Sequence, residues 1–323
     1  MVVQAVERLN GIVPSNQIVI VTSKALVQPI RDLLGDDSPV GILGEPIGRD
    51  TAAAIALGSA WVKRRDPEGV LCVLTADHLI GDLPIFGETI KMGMYACKNN
   101  DVLMTIGISP NEPSSAYGYI ESGDLWKKFG PLDFFRVRRF VEKPNAQTAA
   151  QYIAANNYYW NSGMFIWATQ SIERAFTYHR PQLASMMVKW AACPSDEAMQ
   201  SAIDEDFPKL DKISIDYAVM EKADNIVMCR GGFSWDDVGS WPALEGHLPK
   251  DSDSNACIGD VAAVGSARNI VVSEGRLTAL VGVEDLVIVQ SDGVTLVCSK
   301  SSAQDIKALV SSLRLQANRS GLL

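Results

Sequence analysis

Residues 70–80, VLCVLTADHLI, constrain the fold more than any other stretch: an unbroken apolar run stops abruptly at Thr75-Ala76-Asp77-His78. A run of aliphatic and β-forming residues without polar alternation predicts a strand buried on both faces, the pattern of a parallel sheet covered by helices. Open α/β sheets bind their ligands at the carboxyl ends of such strands, which makes Asp77 a candidate site residue. The competing reading is a turn former or a helix N-cap.

The neighbouring sequence has the grammar of that fold. Residues 17–22 (QIVIVT) read as a strand, 24–34 as a helix, 40–43 as a short strand, and 51–65 as an Ala-rich helix ending in Lys63-Arg64-Arg65. A helix from Pro84 to Cys97 and a strand over 102–108 continue the alternation. The pattern predicts an α/β chain with a doubly wound, mainly parallel Rossmann-like sheet. Beyond residue 108 the grammar changes. Residues 117–121 and 134–141 read as strands with no helix between them, and Asn145 as the cap of a helix to about 156, a mixed-sheet insertion over the same site. Aromatic residues fill 160–167, helices follow across 170–205, Ser214 can cap a helix through Lys222, and 225–229 is a strand. Short β segments at 260–264, 270–272, 277–283, 286–290 and 294–298, with turn pairs Glu274-Gly275 and Asp292-Gly293, precede a helix over 302–315. They predict a small β-rich domain over 251–323 behind a linker at 247–255, leaving 1–250 for the α/β domain.

Composition excludes several classes. With 323 residues, 47% hydrophobic and 21% charged, the chain is long enough for one large core or two moderate ones. A net charge of −9 argues against a nucleic-acid partner, which needs a basic face. A small anionic substrate would need local cations or a metal. Six scattered cysteines without a C-x-x-C pair read as reduced thiols of a cytoplasmic protein, and three histidines leave no His-rich metal site. Nothing resembles a signal peptide, and no apolar run approaches the ~18 residues of a membrane span.

Five polar islands mark strand ends or helix starts. In Gly44-Glu45-Pro46-Ile47-Gly48-Arg49-Asp50-Thr51, Asp50 or Thr51 can cap the Ala-rich helix, whose free N–H groups suit an anion, and Arg49 adds a planar fork. The same letters also spell an ordinary capped loop. Asp77-His78 is the second island. The third, Tyr117-Gly118-Tyr119-Ile120-Glu121, sets a glycine between aromatics, where a ligand can approach the backbone or a strand can bulge. In Glu142-Lys143-Pro144 a point charge suits a phosphate and a carboxylate suits hydroxyls; a surface ion pair is the alternative. The fifth, Trp235-Asp236-Asp237-Val238-Gly239-Ser240-Trp241, is a poor sequence for a solvated turn. Mg²⁺ takes one or two carboxylates plus substrate phosphates, and Asp77 with Asp237 could supply them.

Taken in order, GEPIGRDTAAAI, VLTADH, TIGISPNEPSSAYGYIE, FVEKPN, YYWNSGMFIW, SIDYAVMEK and WDDVGSW resemble the mannose-1-phosphate guanylyltransferases, a branch of the sugar-nucleotide pyrophosphorylases. The resemblance covers essentially the whole chain. It implies in-line attack of mannose 1-phosphate on the α-phosphorus of GTP, giving GDP-mannose and pyrophosphate, with Mg²⁺ held by Asp77 and Asp237. It further implies that Glu45, Gly48, Arg49, Asp50 and Thr51 bind the nucleotide, that Gly118, Tyr119, Glu142, Lys143, Asn161 and Ser162 form the sugar site, and that Lys143 meets the sugar phosphate. The β-rich tail resembles the family's short β-helix-like domain, which implies a homo-oligomer, a dimer, packed through that region.

One departure is large. The family opens with a strand and a loop of form G-G-x-G-x-R-L-x-P, and MVVQAVERLNGIVP aligns with the helix after it. Met1 is therefore expected to be internal to a longer protein. With that strand missing between 17–22 and 70–77, both neighbours would be buried edges, each unsatisfied backbone group costing about 1–3 kcal/mol. A chain of low stability and impaired turnover is the expectation. Asp50 stands where the family usually has Asn, and Ala53 where Pro is frequent. Two alternatives remain: a pyrophosphorylase for another sugar or base, and a non-catalytic subunit that binds sugar nucleotide in a regulatory or scaffold role.

Overall fold

The computed structural model describes residues 1–291 and 293–314. The chain forms two compact units that meet in sequence between Trp235 and Asp236. The first begins with a short helix α1 (Val2–Glu7), which buries none of its side chains. Strand β1 (Val19–Ser23) then leads through a 3₁₀ turn into α2 (Val27–Leu34) and β2 (Gly41–Glu45). β1 and β2 pair in parallel from Val19 opposite Gly41 to Ser23 opposite Glu45. Helix α3 (Asp50–Arg65) follows, its Ala52, Ala53, Ala56 and Ala60 buried, which lets it lie close to the layer below.

The main sheet is assembled from β3 (Val70–Val73), which is followed by the two-residue β4 (Leu79–Ile80) and helix α4 (Leu83–Lys98), then β5 (Leu103–Ile108), β6 (Tyr119–Phe129) and β7 (Leu132–Val141). Helix α5 (Ala146–Ala155) starts where Asn145 accepts the Thr148 N–H at 2.8 Å, and β8 (Tyr158–Ala168) follows. Helices α6 (Thr169–His179), α7 (Pro181–Ala191) and α8 (Asp196–Asp206) precede β9 (Ile226–Arg230). The six strands lie in the order β3-β8-β5-β9-β7-β6. β3, β5, β6 and β9 run one way, with β7 and β8 against them. Residues 160–167, whose aromatics stood out in the sequence, thus form the reversed strand between β3 and β5.

Strand alternation sorts the core into two layers. Leu103, Phe165 and Trp167 pack with α3, α6 and α7 on one face, while Met104, Met164 and Ile166 pack with α4 and α5 on the other. That is the doubly wound arrangement expected from the βαβ grammar. α4 comes so near the second face that a Cβ on Gly93 would lie 2.6 Å from Ile166 Cδ1. The 70–80 run gives a shorter strand than expected. β3 covers four residues, only Leu71 of which is buried. It bonds on one side, to β8, and β1 bonds on one side, to β2. Strands with an open edge keep water on that side, which is why this apolar run is half-buried.

In sequence, β10 (Trp235–Asp236) joins the two units, and α9 (Trp241–Glu245) opens the second, with Ser240 accepting the Ala243 N–H. β11 (Ala256–Ile258), β12 (Val261–Val264), β13 (Ile270–Ser273), β14 (Thr278–Val281), β15 (Leu286–Ser291) and β16 (Val294–Ser299) follow, and α10 (Ile306–Arg314) is the last described element. β11, β13 and β15 stack in parallel, β16 pairs antiparallel to β15, and β12 and β14 form a parallel pair, a coiled β arrangement. Inside it, a ladder of side-chain amides runs beside an apolar cluster of Val271, Leu280 and Ile288. Fully buried Asn269 donates to Asn255 Oδ1 at 2.9 Å and to Val283 O at 3.0 Å, and its own Oδ1 accepts the Leu286 N–H at 3.0 Å. Buried amides persist when every polar atom is satisfied. The stretch read as a linker is ordered by the same means, since Asp251 accepts the N–H groups of Asp253 and Asn255. Asp292, of the second turn pair, and Leu315, at the end of the expected last helix, lie outside the described residues.

Candidate functional site

In the first unit the start of β6 and the end of β7 meet the first half of β8. β6 starts at Tyr119 opposite Val141, the last residue of β7, and opposite Trp160 of β8. Gly118, Glu142 and Asn161 therefore sit side by side, and the Asn161 N–H donates to Gly118 O at 2.8 Å. A Cβ at Gly118 would lie 2.4 Å from Glu142 Oε2 and 3.3 Å from Asn161 Cβ, so any side chain there would displace the Glu142 carboxylate from this position. Lys143 Nζ stands 3.3 Å from Glu142 Oε1. Its backbone is left-handed (φ 46°), a conformation uncommon outside glycine and enriched at ligand sites.

Two residues assigned to this group from the sequence turn away. The Tyr119 ring is buried against Tyr152 and its hydroxyl donates to Ser114 O at 3.0 Å. The buried Ser162 hydroxyl donates to Ile106 O at 2.7 Å. Each follows in sequence a residue that faces the group, and successive strand side chains point to opposite faces.

A residue missed in the sequence completes the floor. Asp216 opens a π-helix, Asp216–Met220, and its Oδ1 accepts the Asn161 Nδ2–H at 3.1 Å. Burial first, and the charge of Glu142 second, push its carboxyl up to about 6. Thr105 Oγ1, which donates to Met164 O at 3.2 Å, lies 3.4 Å from Asn161 Oδ1, and Glu221 accepts the Glu142 N–H at 3.3 Å. The available signal was a carboxylate set among Ile215, Ala218 and Val219, where charge is rare unless held.

The 44–51 loop forms a second group. Glu45, at the end of β2, has Oε1 sealed from solvent without a hydrogen-bond partner, and burial pushes its carboxyl up to about 7. Arg49 directs its guanidinium to Pro208 O, while a Cβ at Gly48 would meet only open space. The start of α3 is not the open anion site expected from the sequence. Asp50, itself left-handed (φ 66°), accepts the Thr51 N–H at 2.8 Å, and the Ala52 N–H goes to Ile213 O at 3.2 Å. Thr51 Oγ1 accepts the Ile215 N–H at 2.8 Å, which ties this loop to the residue before Asp216.

Asp77 is 78% exposed, beyond the end of β3. Beside it His78 is buried, its Nδ1 accepting the Trp235 indole N–H at 3.0 Å, so the ring proton of the neutral form is on Nε2, 3.9 Å from Asp77 Oδ1. Arg8 secures the loop by donating to His78 O at 2.9 Å. In the second unit, Asp237 Oδ1 accepts the Gly239 N–H at 3.0 Å and Asp236 Oδ1 the Val238 N–H at 2.8 Å. Val238 between them is left-handed (φ 46°), strained for a β-branched residue. Among the described residues, no cluster of three or more His, Cys, Asp or Glu side chains is set to hold a metal. Hard oxygen donors on an exposed turn suit a divalent ion that takes its other ligands from phosphates and water, and Asp77 meets that description.

Residues 1–253 match the nucleotidyl transferase family and residues 259–313 the mannose-phosphate isomerase/GMP-like β-helix domain. Mannose-1-phosphate guanylyltransferase 2 of Escherichia coli O157:H7 is 36% identical over 85% of the chain, and the mannose-1-phosphate guanylyltransferase of E. coli K12 is 34% identical over 95%. The chain spans 58% and 65% of the length of these two relatives. The solved structure of the mannose-1-phosphate geranyltransferase of Thermus thermophilus is 31% identical, with a TM-score of 0.81, over 96% of this chain and 88% of that one.

Proposed function

The chain belongs to the nucleotidyl transferase family, and from that premise we propose that it transfers a guanylyl group from GTP to mannose 1-phosphate, releasing pyrophosphate and GDP-mannose. The observation that carries this reading is the convergence of Gly118, Glu142, Lys143 and Asn161 at one end of the sheet. A carboxylate acceptor and an amide donor suit sugar hydroxyls, and the ammonium suits the attached phosphate. In-line attack by the phosphate oxygen on the α-phosphorus needs no covalent intermediate, so these residues hold and orient the acceptor.

Glu45 supports the choice of base. Guanine offers two adjacent donors, N1–H and the 2-amino group, which a carboxylate can accept together; uracil and thymine offer one donor beside an acceptor and suit an amide better. Gly48, Arg49, Asp50 and Thr51 shape the loop around it. Mg²⁺ is the ion we assign to this chemistry, with Asp77 as its ligand in the first unit, where it would neutralise phosphate charge. Lys143 supplies the cation that faces the sugar phosphate. We also assign the protein to the cytoplasm, where its six free cysteines stay reduced.

Turnover with GTP, UTP, dTTP and ATP, each against mannose 1-phosphate and glucose 1-phosphate, tests the assignment. GTP with mannose 1-phosphate should exceed every other pair in kcat/KM; a preference for UTP or dTTP overturns it. For the partner, we propose a dimer through the second unit, where Val264 and Val281 are paired across β12 and β14 and are 69% and 75% exposed. Contiguous exposed valines are uncommon on a monomer surface. Sedimentation should show a dimer for the native chain and a monomer for the Val264→Lys, Val281→Lys variant. A native monomer at micromolar concentration rules the dimer out.

A further inference from the structure

The half-buried carboxyl of Asp216 has no role in the transfer described above, yet it bonds directly to a residue of the group assigned to the hexose. Asn161 has a side chain whose two ends are chemically opposite, and each end is accounted for. Its oxygen accepts from the Gly163 N–H at 3.2 Å and lies 3.4 Å from Thr105 Oγ1, whose single proton has the nearer acceptor Met164 O at 3.2 Å. Its nitrogen gives one hydrogen to Asp216 Oδ1 at 3.1 Å, which leaves the second hydrogen as the donor that Asn161 can offer a ligand. Glu142, held beside it by the absence of a side chain at Gly118, offers acceptor oxygens.

We propose that Asp216 is a positioning residue that fixes the orientation of the Asn161 amide, so that Asn161 and Glu142 present one donor beside one acceptor and read a pair of adjacent hexose hydroxyls. The inference rests on the sugar-nucleotide reading above and names the feature of the sugar that the site measures. An amide free to turn over would present its oxygen to the same hydroxyl and match a different arrangement. Orientation by a charged acceptor is strong in a water-poor setting. The groups around Asp216 are Glu142 at the end of β7, Asn161 on β8 and Ser214 on its own segment, while Lys143 and Glu221 contact Glu142 rather than Asp216. Protonation of the Asp216 carboxyl, raised to about 6, would weaken the hold on Asn161 in acid.

Calorimetric titration of the full chain with GDP-mannose, GDP-glucose and GDP tests this, the two sugar nucleotides differing at a single hydroxyl. In Asp216→Asn, GDP-mannose should bind about tenfold more weakly and its advantage over GDP-glucose should shrink by a similar factor, the effect of misdirecting one hydrogen bond, with GDP unchanged. The native preference should fade below about pH 6 and the variant's should not. The exchanged variant Asp216→Asn, Asn161→Asp restores a hydrogen bond between the two positions, so a purely structural link would be repaired. The donor toward the sugar is not restored, and GDP-mannose binding should stay weak. Native-like discrimination in Asp216→Asn, or full recovery in the exchanged variant, overturns the proposal while leaving the sugar-nucleotide reading intact. If the native chain binds GDP but does not tell GDP-mannose from GDP, the sugar assignment itself fails, and Asp216 with it.

Discussion

A carboxylate with one oxygen sealed from water and unpartnered, as Glu45 has at the end of β2, is costly in an empty site and useful in a filled one. With its carboxyl raised to about 7, the folded chain keeps a proton that the unfolded chain has released anywhere between the ordinary carboxylate range and neutrality. This residue therefore makes stability fall as pH rises through that window. Glu45→Gln should remove the slope and stabilise the ligand-free protein at pH 8, by on the order of 1 kcal/mol once solvent screening is allowed for. It should also weaken GTP binding about tenfold, since one end of an amide repels a guanine donor. Thermal unfolding at pH 5 and pH 8, with and without GTP, measures both effects; unchanged GTP affinity in the variant excludes Glu45 from base recognition. Glu45 stands out in the sequence because its loop is continuous. Asp216 does not, because its meaning depends on Asn161, which lies far away in sequence and reaches it only through the register of β8.

At the scale of elements, the sequence carried the strands and helices well and their edges poorly. Periodicity located α3, α4 and α5 to within a residue or two, and Asn145 caps α5 as its composition demanded. The 70–80 run was overread, since an apolar stretch reports the character of a strand and not how many neighbours it will have. The anion site expected at the start of α3 fails for a local reason. An Asp at position 50 turns its carboxylate onto the Thr51 N–H, and Ile213 O takes the Ala52 N–H, from a segment that no pattern ties to the loop. Tyr119 and Ser162 were assigned by motif as blocks of consecutive letters, while a strand delivers alternate letters to a face. Gly118 and Glu142 flank the start of β6 and the end of β7, and Asn161 lies within β8 across from Gly118, so the register brings these three together while their neighbours point away.

At the scale of the whole molecule, the question is how stability is distributed. From the sequence, β1 and β3 were expected to be buried edges with unsatisfied backbone groups. In the structure, among the described residues, β1 bonds only to β2 and β3 only to β8, yet most of their residues are half-buried rather than buried. Partial exposure lowers the desolvation cost of such edges, and a different weakness takes its place. α3 packs against the side chains of both strands, with Leu71, Val19, Val21 and Val73 all in contact with its core, but no ladder joins them. β5 is the opposite case: all six of its residues are buried, and it is bonded on both sides, to β8 and β9. Local opening follows such differences in burial and bonding, so the amides of β1 and β3 should exchange through a partial opening that leaves β5 closed. In native-state hydrogen exchange, residues 19–23 and 70–73 should exchange at least about a hundredfold faster than residues 103–108, a gap of about 2.7 kcal/mol in opening free energy. If GTP occupies the 44–51 loop as proposed, its effect passes to β1 through β2, and it should slow β1 more than β3. Equal protection of β1, β3 and β5 would mean that the helices alone close the sheet, and that the open edges cost the fold nothing.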